Sequence, residues 1–483
     1  MSVRPTVERS LAGGAPGTPS MSGGATRPLL HQCDHPTGRH YAILAMTWAG
    51  WMFDFYDLML FSFLLVPIQR DLGLSNAELS LLLGVSLGAT ALGGLFFGWL
   101  ADRIGRKHVL SATILTYSVG TFLCGFGSDF YLLLLFRIAT GLGVGGEWAT
   151  GQTLVGETCP PRLRARFAAI MQTGAPAGVM LATMVGAFLE PVLARQFGPS
   201  WGWRACFFIS VLPAVLVIAI RHFLPESDIW EEWQTHPERR SAEADDFFVL
   251  LRRDAAIRRL FLLGLFLAVT DMSAYWFTYS WMPKFLYEQL DFSMAQSGIW
   301  MLATQGGALL GYLSFGVVAD RHGRRIAYSL YSLVWAVSLL SVTWFWSSLV
   351  ALPALSLVAM FLVGVGTGNF SGYGPIFTEL FPTRIRNTAM GTAFNLARGV
   401  QLFTPLIITW VASQSWRGPE RSLGLGISIG AFFALLTGAW AWTLPETRGT
   451  RVLAAEMVRE AHTSSAPVQS GPLPVSTSAN GEG

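Results

Sequence analysis

The segment Gly98-Trp-Leu-Ala-Asp102-Arg103-Ile-Gly105-Arg106-Lys107 recurs 218 residues later as Gly316-Val-Val-Ala-Asp320-Arg321-His-Gly323-Arg324-Arg325. Two further patterns repeat in the same order at offsets of 222 and 220. Glu157-x-x-Pro160-x-Arg162-x-Arg164 returns as Glu379-x-x-Pro382-x-Arg384-x-Arg386, and Leu224-Pro225-Glu226 returns as Leu444-Pro445-Glu446. Each copy of the first pattern follows a long apolar run and precedes another. The chain is therefore built twice, as two homologous halves, and both halves belong in a membrane.

Composition supports the membrane. Of 483 residues, 52% are hydrophobic and 13% are charged, about half the charged share of a soluble domain. A hydrocarbon core about 30 Å thick needs about 20 apolar residues per helix. Counted on that length, the apolar runs give twelve spans, at about 41–68, 77–101, 108–127, 130–155, 167–190, 202–223, 259–287, 294–319, 326–347, 351–378, 388–413 and 421–444. The expected fold is an all-α integral membrane protein of twelve transmembrane helices in two pseudo-symmetric six-helix bundles. The predicted segments are a disordered tail over 1–40, bundles over 41–223 and 259–448, a linker over 224–258 and a second disordered tail over 449–483.

Charge placement gives the orientation. Arg103, Arg106, Lys107, Arg162, Arg164, Arg166, Arg252, Arg253, Arg258, Arg259, Arg321, Arg324, Arg325, Arg384 and Arg386 all fall in loops on one side. The opposite loops hold Arg70, Arg195, Lys284 at a span end, Arg417 and Arg421, with Arg204 at a helix start. The basic side belongs in the cytoplasm, which places both termini there and predicts a bacterial-type inner membrane. The four cysteines, Cys33, Cys124, Cys159 and Cys206, form no pair that suggests a disulfide or a metal site. Residues 1–39 lack the apolar core of a signal peptide. No G-x-x-x-x-G-K-[S/T] phosphate loop occurs, which excludes an ATP-driven pump. The sequence predicts no cofactor, no metal, no enzymatic activity and no nucleic-acid partner, and a chain that works as a monomer in the lipid bilayer.

The repeated loops join two helices by a short turn. Gly105 and Gly323 permit a positive φ there. Asp102 and Asp320 end their helices within reach of guanidinium groups, and Glu157 and Glu379 do so beside their own arginines. The predicted result is a gating network of charge-assisted bonds on the basic face. Its members are Asp102, Arg103, Arg106, Glu157, Arg164, Asp320, Arg321, Arg324, Glu379 and Arg386, and it must break when the conformation changes. The plainer alternative is that these arginines only set topology.

With these motifs the chain resembles the major facilitator superfamily over about residues 41–448. The resemblance implies two six-helix bundles and alternating access. Gly50-Trp-Met-Phe-Asp54-Phe-Tyr-Asp57 and Arg137-x-x-x-Gly141-x-Gly143-x-Gly145-Gly146-Glu147-Trp148 are similar to segments of the metabolite:proton symporters, especially the sialate:proton symporters and lactate/pyruvate permeases. Aromatic-acid symporters share a D-G-F-D element, but Phe55 stands where that element has glycine.

Asp54 and Asp57 lie three apart on one helical face. A bare carboxylate at mid-membrane is costly, so such residues face a cavity or a partner. The expected partner is Arg137, seven residues into span four. In proton-coupled relatives the matching arginine neighbours the span-one acid, and the resemblance implies Asp57 as the coupling residue; a permanent structural ion pair is the alternative. Glu147 lies ten residues beyond Arg137, about 15 Å along the helix, and either relays a proton or bonds a neighbouring helix. Asp271 is the repeat counterpart of Asp54, and Tyr275 and Tyr279 beside it are candidates for lining a cavity, with the outer aromatic belt as the alternative. Arg398, with Asn395 and Gln401 nearby, is the lone cation in the core of the second half. A guanidinium binds a planar carboxylate by two parallel bonds; the alternative is a bridge from Arg398 to Asp271. Gln172, Gln305, Asn369 and Asn395 complete the candidate substrate residues, although helix–helix hydrogen bonding is the better explanation of any one amide alone.

The resulting expectation is a secondary transporter that imports a small organic anion, a monocarboxylate or sialate-like metabolite, with protons. A sugar or polyol symporter, an aromatic-acid symporter, a multidrug exporter and a non-transporting nutrient receptor are the alternatives.

Overall fold

Capping side chains and left-handed glycines place the helix boundaries at matching points in the two halves. In the computed structural model, which describes residues 30, 35–160, 164–227, 231, 247–288, 290–345, 352–381, 385–414 and 422–446, span two starts with a capping box. Ser75 Oγ accepts the Glu78 N–H at 3.2 Å, and Glu78 Oε2 accepts the Ser75 N–H at 2.8 Å. Span eight starts the same way, with Ser293 Oγ accepting from Gln296 N–H at 3.1 Å and Gln296 Oε1 from Ser293 N–H at 2.9 Å. Each box satisfies two of the N–H groups that a helix start leaves free. Both spans then run 29 residues, Asn76–Ile104 and Met294–His322, and stop at glycine. Gly105 has φ +99° and Gly323 has φ +100°, as the repeat predicts; this backbone favours glycine because it has no Cβ.

The remaining spans follow in chain order. Span one is a bent pair, Gly38–Phe63 and Leu65–Leu72, with a 50° break. Spans three and four are Arg106–Cys124 and Phe130–Thr158. Span five is interrupted, running Arg164–Gln172, Gly174–Thr183, a π-helical turn at Met184–Leu189, then Glu190–Phe197. Span six is Pro199–Ile209 with Leu212–Phe223. A short helix, Phe247–Arg253, precedes span seven, Ala255–Tyr279 with Met282–Glu288. Span nine is Arg324–Trp344. Span ten is Pro353–Gly366, a 3-10 turn at Thr367–Gly372 and Tyr373–Leu380. Span eleven is Arg386–Val400 with Phe403–Ser413, and span twelve is Ser422–Trp440.

Among the described residues ten helices are long and apolar enough to cross a membrane, and the bent first pair makes eleven. The twelfth crossing, Arg106–Cys124, carries three basic residues in its first turn and several Ser and Thr, which lowers its apolar signal. Span one begins at Gly38 and span seven at Ala255, each a few residues before the apolar runs do. Most of both predicted tails, and 228–230 and 232–246 of the linker, lie outside the described residues.

Small residues bring the halves together, because only backbones without bulk approach this closely. Gly84, Gly88, Ala91 and Gly94 of span two face Leu402, Gly399 and Asn395 of span eleven. Gly298 of span eight packs on Ala187 and Phe188 in the π-helical turn of span five.

Candidate functional site

Span one carries its two aspartates into the seam between the halves, and both are fully buried. Asp54 meets Arg398 of span eleven. Arg398 Nη1 donates to Oδ2 at 3.1 Å and Nη2 to Oδ1 at 2.9 Å. This is a parallel two-bond pair between residues 344 apart, one from each half, with both side chains at 2% exposure or less. The guanidinium also lies 5.7 Å from the Trp51 ring and 5.5 Å from the Phe55 ring. The alternative bridge from Arg398 to Asp271 is not formed. Asp271 instead accepts from Asn369 Nδ2 at 3.4 Å, and the same amide donates to Ser332 Oγ at 3.0 Å. The acid that meets Arg398 thus comes from the opposite half and not from its own.

Asp57 behaves differently. No ion pair joins it to Arg137, and among the described residues neither carboxylate oxygen of Asp57 has a hydrogen-bond donor. Arg137 stacks its guanidinium 4.4 Å from the Phe61 ring, and its Nε and Nη1 reach no acceptor. The pairing expected from span one to span four is therefore not made in this conformation. Glu147 is also buried with both oxygens free of hydrogen bonds. Its carboxylate packs on Gly50, where any side chain would collide with it. Gly50 lies one turn from Asp54, so Glu147 flanks the Asp54–Arg398 pair on the side of the basic face.

The other candidates separate into two groups. Tyr275 reaches across the seam, edge-on to Phe55 at 5.9 Å, and stacks obliquely on Tyr279 at 4.5 Å and Phe370 at 4.9 Å. Gln305 is buried beside the Tyr279 hydroxyl. These three residues, with Asn369, lie together in the second half. Gln172 and Asn395 lie instead beside the contacts between spans four, ten, two and eleven. Gln172 accepts from Trp148 Nε1 at 3.1 Å and donates to the Phe370 carbonyl at 3.4 Å. Asn395 donates to the Gly391 carbonyl at 3.0 Å and packs on Gly94. For Gln172 the helix–helix reading fits the contacts, whereas the one hydrogen bond of Asn395 stays within its own helix.

Contacts between the halves lie on both sides of the pair. On the basic side, Trp148 of span four stacks on Phe394 of span eleven, with centroids 3.7 Å apart and planes 16° apart. On the opposite side, Lys284 Nζ donates to Gln69 and, at 2.9 Å, to Asn76 Oδ1, which ties span seven to spans one and two. Ser80 Oγ donates to Thr409 Oγ1 at 2.9 Å across spans two and eleven. The sequence reading missed Lys284, whose side chain is 1% exposed. The only local signal was one lysine inside an aromatic run at a span end.

The repeated loops form a partial version of the expected network. Arg106 Nη2 meets Glu157 Oε1 at 3.3 Å, and Arg324 Nη1 meets Asp320 Oδ1 at 2.6 Å. The stronger regularity is the one carried by the Leu-Pro-Glu repeat. Glu226 accepts the backbone N–H of Arg106 at 2.9 Å and of Lys107 at 3.2 Å. Glu446 accepts the backbone N–H of Arg324 at 2.9 Å and of Arg325 at 3.2 Å. Each carboxylate caps the start of span three or nine, where the helix dipole is positive. Arg103 instead lies 3.9 Å from the Trp99 ring, and Arg321 is exposed. The side chains of Asp102, Arg164, Glu379 and Arg386 lie outside the described residues.

A sequence profile described as the Major Facilitator Superfamily matches residues 47–315 and 275–474. The cis,cis-muconate transport protein of Acinetobacter baylyi is 30% identical over 80% of this chain and 89% of its own length. A sialic acid transporter of Escherichia coli is 29% identical over 81% of this chain and 91% of its own length. Among solved structures, the xylose transporter of Escherichia coli in a partially occluded inward-open conformation superposes with a TM-score of 0.69 at 17% identity, covering 86% of this chain and all of that one.

Proposed function

The chain belongs to the major facilitator superfamily, and from that premise we propose that it carries a small organic anion together with protons through alternating access. It is a multi-pass membrane transporter and not an enzyme. In this reading it lies in the inner membrane with the basic face and both termini in the cytoplasm, following the positive-inside rule.

One observation carries the anion. Arg398 holds a carboxylate by two parallel bonds at the seam between the halves. That geometry is a template for a planar carboxylate ligand, and arginine forms it where lysine does not. The flanking Trp51, Phe55 and Tyr275 supply apolar and aromatic surface suited to the carbon skeleton of such an acid. The relatives named for muconate and sialic acid both move carboxylated compounds by name, which supports the same class. Because Arg398 comes from one half and Asp54 from the other, an event at this pair acts on the interface that must open.

A thermal-shift screen of the purified protein tests the class, since a ligand of the native state raises apparent stability by RT ln(1 + [L]/Kd). cis,cis-Muconate, sialic acid, lactate and pyruvate form the acid arm, and xylose and a polyol form the neutral arm. Stabilisation by at least one acid, abolished in Arg398→Lys, is the expected result. Stabilisation by the neutral arm alone would move the protein to the sugar symporters.

A further inference from the structure

We infer that Asp54 is an internal substitute for the substrate carboxylate, so that substrate takes Arg398 from Asp54 only when Asp54 takes up a proton. The inference rests on the carboxylate reading above and adds which residue couples proton to substrate. It departs from the assignment to Asp57 that the resemblance implies.

The geometry gives the exchange its form. In this structure both forward-pointing nitrogens of Arg398 are used by Asp54, at 3.1 and 2.9 Å. A guanidinium has one such two-bond edge facing a given side, so a second carboxylate cannot bind there in the same way while Asp54 holds it. Two bonds from Arg398 to Asp54 must break and two to the incoming carboxylate must form. The displaced Asp54 carboxylate would then sit fully buried beside the incoming one. A proton from water, delivered to an Asp54 oxygen, removes that charge. The site is neutral before the exchange, with one arginine cation and one aspartate anion. It is neutral again afterwards, with the arginine cation, the substrate anion and a protonated Asp54. Without the proton it carries one uncompensated buried negative charge, which a low-dielectric seam opposes.

The surroundings bear on which acid takes the proton. On span one the other titratable neighbour is Asp57. Span four contributes Glu147, span three Tyr117 and span seven Tyr275, all within electrostatic reach of the pair, while Arg137 of span four acts on Asp57 and Cys124. The Gly174–Thr183 stretch of span five packs along span one and carries no titratable group. Span six carries Arg204 and Cys206 in its first segment and His222 near its end, on the basic face. Of the three acids Asp54, Asp57 and Glu147, only Asp54 touches the group the substrate needs. Glu147 and Asp57 have no such bond to surrender, so their protonation does not free Arg398.

The measurement is the affinity for cis,cis-muconate, sialic acid and lactate between pH 5.5 and 8, in detergent, with proton uptake followed in weak buffer. If binding brings one proton to Asp54, affinity weakens by about tenfold per pH unit as pH rises through the range where the free protein holds Asp54 ionised. One proton is taken up per carboxylate bound. Asp54→Asn makes binding independent of pH and removes the uptake. Asp57→Asn and Glu147→Gln keep the slope. Should Asp54→Asn fail to fold, the wild-type proton count and the slopes of the other two variants still decide. A wild-type count of zero, or a slope that vanishes in Asp57→Asn or Glu147→Gln and survives in Asp54→Asn, overturns the inference while leaving carboxylate binding intact. Binding of none of these acids at any pH sinks the carboxylate reading first, and this inference with it.

Discussion

Asp54 and Asp57 sit three residues apart on one helix, equally buried, and have opposite fates. Asp54 is held by two bonds from an arginine in the other half. Asp57 faces an arginine in its own half with no bond between them. The difference is one of which surface must move. A pair inside one bundle is carried along as that bundle rocks, whereas a pair across the seam is strained or broken by the same motion. Two acids that look interchangeable in sequence are thus poised for different work: Asp54 reports on the seam, and Asp57 reports on its own bundle.

Five substitutions break or sharpen this contrast, in falling order of effect. Arg398→Ala removes the cation and leaves Asp54 buried alone. Loss of one partner from a buried pair costs about 3–5 kcal/mol, so the variant should melt well below wild type and show no uptake; a normal melting temperature would mean that water reaches the pair in the membrane. Asp54→Asn leaves Arg398 without its anion. It should also lower the melting temperature, and an added substrate acid should restore much of the loss because it supplies the missing carboxylate. Asp57→Asn breaks no ion pair. Its stability should lie within about 1 kcal/mol of wild type, as expected where no defined interaction is lost, and a loss as large as that of Asp54→Asn would show that Asp57 is paired. Glu226→Gln and Glu446→Gln are the smallest. Each weakens a helix cap worth about 0.3–1 kcal/mol, and the matched geometry of the two halves predicts similar, additive losses together with slowed reorientation at near-normal binding. Stopped-flow fluorescence of Trp-reported closure would resolve them, and unequal effects would show that the two loops have diverged in role.

Much of the architecture was legible because it is written locally. Apolar runs of about 20 residues and the turn glycines Gly105 and Gly323 each depend on neighbours within a few positions. The buried cation Arg398 was legible for a similar reason: a charge in an apolar run needs an explanation by itself. Its partner was not legible. Asp54 lies 344 residues away in the other bundle, and nothing local distinguishes it from Asp57 or from Asp271. Repetition misled at this point, since it made Asp271 the natural choice within the second half. The Leu-Pro-Glu repeat was visible as a pattern, but its chemistry, a carboxylate accepting two backbone N–H groups of a distant helix, needs the folded bundle. Lys284 was passed over because its acceptors, Gln69 and Asn76, come from spans one and two.

The central claim, that proton and substrate meet at the pair across the seam, is tested most directly in proteoliposomes. Uphill uptake driven by an imposed proton gradient and substrate counterflow would be measured side by side for Asp54→Asn and Asp57→Asn, using the acid that stabilises the protein. Asp54→Asn should accumulate nothing against a gradient yet keep counterflow that no longer varies with pH, because exchange never needs Asp54 to release its proton and retake Arg398. Asp57→Asn should still accumulate substrate. If instead Asp54→Asn concentrates the acid in response to the proton gradient while Asp57→Asn does not, coupling belongs to Asp57 and Arg137 within the first bundle, and the Asp54–Arg398 pair does no more than hold the two halves together.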